Sequence, residues 1–93
     1  MRSYELVTIF PSEEDLFRQG KEAVSAELLK QGAVIAKEDD MGDRQLQYPI
    51  KKRPRGHYYL YTVNIPADKI IHAEKVFKLN TNILKYLFVR VEA

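Results

Sequence analysis

Residues 57–65 read HYYLYTVNI, and large apolar or aromatic side chains occur in both alternating sets of positions along this stretch. Such a composition is typical of a β-strand. Residues 51–56 precede it as a turn cluster, marked by Pro54 and Gly56. A further strand is predicted over residues 33–50, with a bulge or break at a mid-strand glycine. Together these segments predict a long β-hairpin with basic residues at its tip.

Periodic segments flank the hairpin on both sides. A strand and then a helix are predicted before it, and a helix and then a strand are predicted after it. The first helix is predicted to begin at Ser12, which forms an approximate capping signature with Asp15, and to end at Gly32 in a left-handed conformation. The second helix carries only a partial 3.6-residue pattern, which consists of Ile70, Ile71, Glu74, Val76 and Phe77. The predicted bounds are residues 3–10 and 83–91 for the outer strands, and 12–32 and 67–80 for the helices.

The order of elements is therefore strand, helix, strand, strand, helix, strand. Two interleaved βαβ units with right-handed crossovers satisfy this order, and they give a ferredoxin-like α+β fold. Such a fold has a four-stranded antiparallel sheet with both helices on one face. A length of 93 residues predicts one domain over residues 1–93. This architecture alone does not specify a chemistry.

The composition excludes several classes of protein. The chain contains no cysteine, which excludes a disulfide framework, a thiolate zinc site and a cysteine nucleophile. It has no run of about 18 apolar residues that could span a bilayer and no apolar segment at its start. We therefore expect a soluble protein that is not exported.

Charge is unevenly distributed along the chain, although the net charge is only +2. Residues 13–40 hold eight acids and four bases, whereas residues 44–57 hold five bases and no acid. A concentrated positive loop of this kind favours a polyanion bound at one place. The alternative is a solvated hairpin tip that the lysine and arginine side chains keep soluble. The five bases are Arg44, Lys51, Lys52, Arg53 and Arg55.

The face of the sheet away from the helices is predicted to be apolar. Both sets of residues in the strand over 57–65 are large, so one set must point away from the helices. An exposed apolar cluster is commonly a protein-binding patch or a base-stacking platform, although exposed tyrosines are also ordinary and a loop can shelter a strand. The candidate residues for a protein partner are Val7, Ile9, Tyr58 and Leu60.

No catalytic, metal or cofactor site emerges from the residues. His57 and His72 lack any third ligand or triad partner that the order of elements brings close. Residues 55–62 match the base-stacking motif of RNA-recognition modules only at Arg55 and Gly56, so recognition by shape and phosphate with little base readout is expected. The loop over residues 10–14 is acidic at Glu13 and Glu14, which argues against a phosphate-binding loop after the first strand. We therefore predict a protein that is not an enzyme and needs no cofactor.

Residues 42–51 read GDRQLQYPIK, and this segment resembles the signature of the bacterial small-subunit ribosomal protein six family. The departure is Gln47, where the family usually carries alanine or serine. Further matches are the segment RSYE at residues 2–5, the aromatic strand that follows Gly56, and NILKYLFVR at residues 82–90. The resemblance therefore covers nearly the whole chain.

The resemblance implies a cytoplasmic, ribosome-associated protein on the platform of the small ribosomal subunit. Such a protein binds the central domain of 16S ribosomal RNA together with the eighteenth small-subunit protein. The phosphate contacts that the resemblance implies are Arg2, Arg44, Lys51, Lys85 and Arg90, to which the charge count adds Lys52, Arg53 and Arg55. Tyr48 is interpreted as an anchor of the strand end and Pro49 as fixing the following turn. The alternative function is a non-ribosomal protein-interaction or small-ligand-sensing module that dimerises through its open sheet.

Overall fold

Four strands form one antiparallel sheet in the order β2-β3-β1-β4, and both helices pack on the same face of it. The structure is a computed structural model and describes residues 2–91. A single 3₁₀ turn, Ala67–Lys69, precedes the second helix. The elements are β1 (Arg2–Phe10), α1 (Glu14–Lys30), β2 (Val34–Ile50), β3 (Arg53–Ile65), α2 (Ile70–Leu79) and β4 (Lys85–Arg90). The predicted ferredoxin-like fold is confirmed.

The core lies between the helices and one alternating set of strand residues. Leu6 in the central strand β1 stands opposite Tyr61 of β3 and Phe88 of β4, which puts the three side chains on the helix face. Each fully buried side chain of this size contributes roughly 1.5–3 kcal/mol to stability. From the helices, the core receives Phe17, Val24 and Leu28 of α1 and Ala73 and Phe77 of α2.

The first helix begins two residues later than the capping signature predicted. Glu13 is its N-cap residue and makes no side-chain capping bond. Ser12 Oγ donates instead to Asp43 Oδ1 at 2.6 Å, so the hydroxyl ties the loop to β2 and does not cap the helix. The predicted capping role of Ser12 is wrong, because Glu13 occupies the N-cap position and Ser12 lies one residue before it, bonded to β2.

The predicted end of α1 at a left-handed glycine is confirmed. Gly32 has φ of 82°, and its N–H donates to the carbonyl of Leu29 at 3.0 Å. The N–H of Ala33 reaches the carbonyl of Leu28 at 2.9 Å. These two bonds form a Schellman motif, which satisfies the last carbonyls of the helix.

The second helix buries part of the predicted set of residues. Phe77 is buried and Ile70 packs against the core, whereas Ile71 and Val76 are exposed. Ala73, which the pattern did not include, is also buried. The partial periodicity in the sequence therefore identified the helix but only part of its buried face.

The turn of the β2–β3 hairpin is only two residues long. Lys51 and Lys52 have φ of 50° and 65°, and Ile50 pairs directly with Arg53. Two consecutive left-handed residues are characteristic of a type I′ turn, which matches the twist of the flanking strands. The broader turn predicted over residues 51–56 is wrong, because residues 53–56 continue the sheet as the start of β3.

The predicted mid-strand bulge in β2 is confirmed at Gly42. The register between β2 and β3 shifts between Asp40 and Gly42, where the glycine has φ of 87°. Two further register shifts lie between Ile35 and Lys37 and between Gln45 and Ile50. The latter leaves residues 46–49 outside the regular ladder.

Candidate functional site

The open face of the sheet carries a row of apolar side chains across its centre. Val7 stands opposite Leu60 of β3 on one side and Leu87 of β4 on the other. Val7 and Leu60 are half-buried, and Leu87 is 55% exposed. The structure therefore brings two predicted partner residues together and adds a third, so that the row forms a continuous apolar surface, here called the open-face patch.

Sequence reasoning missed Leu87 and its exposed neighbour Val89. Both lie on the open face of β4, because Tyr86 and Phe88 of the same strand pack against the helix-side core. The signal was present as period-two alternation over residues 85–89. The strong apolar character of that segment obscured which of its residues point outward.

A second, smaller apolar cluster closes one end of the open face. Leu46 of β2 folds over Ile9 of β1, and Leu84 completes the contact. Ile9 is only 6% exposed, whereas Tyr58 packs against this cluster and remains half-buried. Ile9 is therefore covered by its neighbours and offers little surface to a partner, whereas Tyr58 lies at the border of the open-face patch.

Four of the predicted basic residues gather at the hairpin end of the sheet. Lys51 Nζ donates to the carbonyl of Ile83 at 3.1 Å, which ties the hairpin tip to the loop before β4. Arg44 lies with its guanidinium carbon 5.8 Å from the centre of the Tyr58 ring. These residues form a group, here called the hairpin-end bases, which consists of Arg44, Lys51, Lys52 and Lys85.

Two other predicted bases of the hairpin turn toward the start of α1 and form ion pairs. Arg53 Nη1 contacts the Glu13 carboxylate at 2.6 and 2.8 Å. Arg55 Nε donates to Asp43 Oδ2 at 3.0 Å. The hydrogen bond from Ser12, followed by the one from Arg55, lowers the pKa of Asp43 below its ordinary value. Arg53 and Arg55 are therefore partly neutralised within the chain, a pairing that a charge count along the sequence does not reveal.

The remaining predicted bases, Arg2 and Arg90, lie at the opposite end of the sheet. Arg90 pairs with Tyr4 near the start of β1, and both arginines are exposed. A strand rises about 3.3 Å per residue, so Arg2 lies roughly 26 Å from the hairpin end of β1. The eight predicted phosphate contacts therefore divide into groups at two ends of the molecule.

The role predicted for Tyr48 as an anchor of the strand end is wrong. Its side chain is 75% exposed and projects from the irregular segment of β2. The anchor of this segment is Leu46, which is 7% exposed. Pro49 is also exposed, and it lies within β2 two residues before the tight turn.

His57 has a structural environment. Its ring stacks on Phe17 with 3.6 Å between ring centres and 8° between planes. Its Nε2 lies 2.5 Å from Asp40 Oδ1, and this hydrogen bond is the main cause that lowers the pKa of Asp40.

Within residues 2–91, no three histidine or carboxylate side chains converge as metal ligands would, and no helix is long and apolar enough to cross a membrane.

An apolar open face beside a basic hairpin end, on a four-stranded sheet with two helices on its other face, is typical of a small α+β binding protein. The chain belongs to the family described as "Ribosomal protein S6", whose pattern matches residues 3–90. This confirms the family that the segment at residues 42–51 indicated.

Relatives from two Treponema species match along nearly the whole chain. The small ribosomal subunit protein bS6 of Treponema denticola is 47% identical over 92 residues, which cover 99% of each chain. The protein of the same name from Treponema pallidum strain Nichols is 45% identical over 93 residues, which cover 100% of each chain. The chain is therefore a protein of the small ribosomal subunit, and it has a structural role in the cytoplasmic ribosome rather than an enzymatic one.

Solved structures support the fold independently. The crystal structure of 30S ribosomal protein S6 from Thermotoga maritima superposes with a TM-score of 0.88 over 97% of this chain and 87% of that one. Its sequence identity of 22% makes this a likeness of fold. An uncharacterized Thermotoga maritima protein shares the fold more distantly, with a TM-score of 0.58 and 15% identity.

Proposed function

We propose that the protein binds the central domain of 16S ribosomal RNA cooperatively with the eighteenth small-subunit protein. The observation that carries the proposal is the adjacency of two different surfaces. The hairpin-end bases and the open-face patch meet at Tyr58 and Lys85, which line a groove of about 200 Å³ with Val7 and Leu87. One surface suits phosphates and the other suits an apolar protein partner, so a protein and an RNA can be bound side by side.

The open-face patch is the proposed contact for the protein partner. Leu87 is 55% exposed and continues the row of Val7 and Leu60, whereas Val89, which is 45% exposed, lies two residues further along β4, opposite Glu5. Burying this apolar area contributes about 25 cal/mol per Å² before the costs of association are subtracted. The central row carries no base, and its neighbour on β2 is Asp39, which stands opposite Leu60, so a protein surface is favoured over a phosphate backbone there.

The hairpin-end bases are the proposed contact for RNA. Neutralising phosphates releases counterions, so affinity falls as salt rises with a slope that reports the number of contacts. A protein of net charge +2 with a few such contacts binds weakly alone. A partner that adds positive surface and fixes the orientation of both proteins raises the effective concentration of the second contact.

Filter binding of a 16S central-domain RNA fragment tests this function directly. The RNA is titrated with this protein alone, with the eighteenth small-subunit protein alone, and with both, at two salt concentrations. We expect tight binding only with both proteins, and weaker binding at the higher salt. Absence of binding under every combination would refute the proposal.

Charge variants test the assignment of the RNA surface. The double variant Lys51→Ala/Lys52→Ala removes two hairpin-end bases, and Lys30→Ala/Lys75→Ala removes two exposed lysines from the helices as a charge-matched control. We expect the hairpin variant alone to lower the affinity and to reduce the salt slope by about 2, one for each lost phosphate contact. Equal effects of the two variants would mean that only net charge matters and that the hairpin is not the contact.

The open-face patch also permits a homodimer, which is the alternative function. Sedimentation of the wild-type protein, alone and with the partner, distinguishes the two uses of the patch. Leu60→Glu tests whether the patch is the contact. We expect a monomer alone and a heterodimer with the partner, which Leu60→Glu prevents. A stable homodimer that does not exchange with the partner would favour the sheet-dimerising module instead.

A further inference from the structure

The irregular segment of β2 holds one aromatic side chain outward. Gln45 pairs with Arg55 and Ile50 pairs with Arg53, so residues 46–49 stand opposite Pro54 alone. Proline has no N–H to donate, and the ladder cannot close regularly at this point. Bulges of this kind re-aim side chains and are common beside functional sites.

The segment is fixed at both ends, so the outward position of Tyr48 is built into the fold. Leu46 is buried against Ile9 and Leu84, and Ile50 packs on the same cluster. Between these anchors, Tyr48 is 75% exposed. A single exposed tyrosine is ordinary on a protein surface, and this one is distinguished by the anchored backbone on both sides of it and by the groove that it lines.

A groove adjoins this ring on the open face. It has a volume of about 260 Å³, and Gln47, Tyr48, Tyr58 and Lys85 are among the residues that line it. Pockets for small molecules usually begin near 300 Å³, so this groove has room for little more than one flat ring. Its floor is apolar at Ile9, while Gln47 and Lys85 supply hydrogen-bond donors at its rim.

The charge around Tyr48 selects the kind of occupant. Residues 44–57 hold five bases and no acid, and Arg44 lies over the neighbouring ring of Tyr58. The nearby carboxylates of Glu13 and Asp43 are held in ion pairs with Arg53 and Arg55. A nucleotide complements this environment, because its base has a flat face for stacking and its phosphate carries negative charge.

We propose that Tyr48 stacks on an unpaired base of the bound RNA while Arg44, Lys51 and Lys85 hold the adjacent phosphates. This inference rests on the proposed function and deepens it by assigning a single-stranded nucleotide to the hairpin end. It also departs from the expectation of little base readout. That expectation considered only the aromatic residues of β3, whereas the exposed aromatic ring lies on the bulge of β2.

The variants Tyr48→Leu and Tyr48→Phe test the stacking role in the complex of both proteins with the 16S central-domain fragment. Phenylalanine keeps the flat ring, and we expect its affinity to stay within about twofold of the wild type. Leucine removes the ring, and we expect a loss of about 5-fold to 100-fold. The salt slope should not change with either variant, because tyrosine carries no charge.

A photo-crosslink locates the contact. RNA that contains 4-thiouridine at a fraction of its uridines is irradiated in the complex, and the crosslinked peptide is identified by mass spectrometry. We expect a crosslink at or next to Tyr48. An unchanged RNA affinity for Tyr48→Leu, or a loss of binding to the partner protein in the absence of RNA, would overturn the inference. Failure of the wild-type complex to bind RNA would instead refute the proposed function.

Discussion

Replacing Lys52 with glycine is expected to stabilise the fold while weakening RNA binding. Lys52 occupies the second position of the two-residue hairpin turn with φ of 65°, in the left-handed region. A side chain with a Cβ is strained in that region, whereas glycine is not. Lys52→Gly should therefore change fold stability and RNA affinity in opposite directions, because the backbone at this position favours glycine and the phosphate contact needs the lysine.

The magnitude follows from two opposing terms. A left-handed conformation costs a residue with a Cβ about 1–2 kcal/mol, and glycine removes that cost. Glycine also increases the conformational entropy of the unfolded chain, which lowers the free energy of unfolding by about 0.4–1 kcal/mol. The net gain for Lys52→Gly is therefore about 0.5–1 kcal/mol. In a domain of this size, that gain raises Tm by roughly 2–8 °C.

The assay is urea unfolding followed by circular dichroism, with Lys52→Ala as the matched control. Alanine removes the same charge but keeps the Cβ, so we expect its free energy of unfolding to stay within about 0.5 kcal/mol of the wild type. Both variants should lose RNA affinity equally, since each removes one ammonium group. Equal stabilities of the glycine and alanine variants would refute the reasoning about backbone strain.

Three further predictions follow from the packing, the open face and the tyrosine environments. Gly20→Ala should lower the free energy of unfolding by roughly 1–3 kcal/mol in urea titrations, although alanine favours helices, because its Cβ would lie 2.5 Å from Cδ1 of Phe10. Leu87→Glu should abolish binding to the partner protein in a pull-down, whereas Leu29→Glu on α1, where leucine is similarly exposed, should leave binding unchanged. Burial, followed by a hydrogen bond to a glutamate, raises the pKa of Tyr59 to about 12 from an ordinary value of 10.0. Its neutral form is therefore favoured in the folded state, and this contribution to stability is complete below pH 10 and lost as the pH rises toward 12. Titration of the protein with ¹³C-labelled tyrosine by NMR checks this pKa, and ionisation of Tyr59 near pH 10 would contradict it.

The element order was predictable because strong local signals specify it. The alternating residues of β1 and β3 and the glycine at the end of α1 each depend on neighbours in the sequence. The start of α1 was not predictable, because Ser12 bonds to Asp43 from another strand. The turn was also misjudged, since Pro54 and Gly56 are usual turn residues but here lie in β3, while two lysines adopt the left-handed conformation.

The site was predictable in composition but not in arrangement. A count of charges finds the bases of the hairpin, but it does not show that Arg53 and Arg55 turn toward acids near α1. Similarly, the signature segment contains Tyr48, yet its exposure depends on the irregular pairing opposite Pro54, where Leu46 and not Tyr48 packs on Ile9. Both outcomes depend on contacts between residues far apart in the sequence, which local patterns do not encode.

The adjacency of the two surfaces provides a physical route to cooperativity. Lys85 lines both the groove beside the open-face patch and the groove beside Tyr48. A protein bound on the open-face patch would exclude water from the first groove and lower the effective dielectric around the ammonium group of Lys85. The attraction between that group and a phosphate then increases, because Coulomb energy varies inversely with the dielectric constant. The partner would thereby strengthen RNA binding through residues of this chain, in addition to any charge it contributes itself.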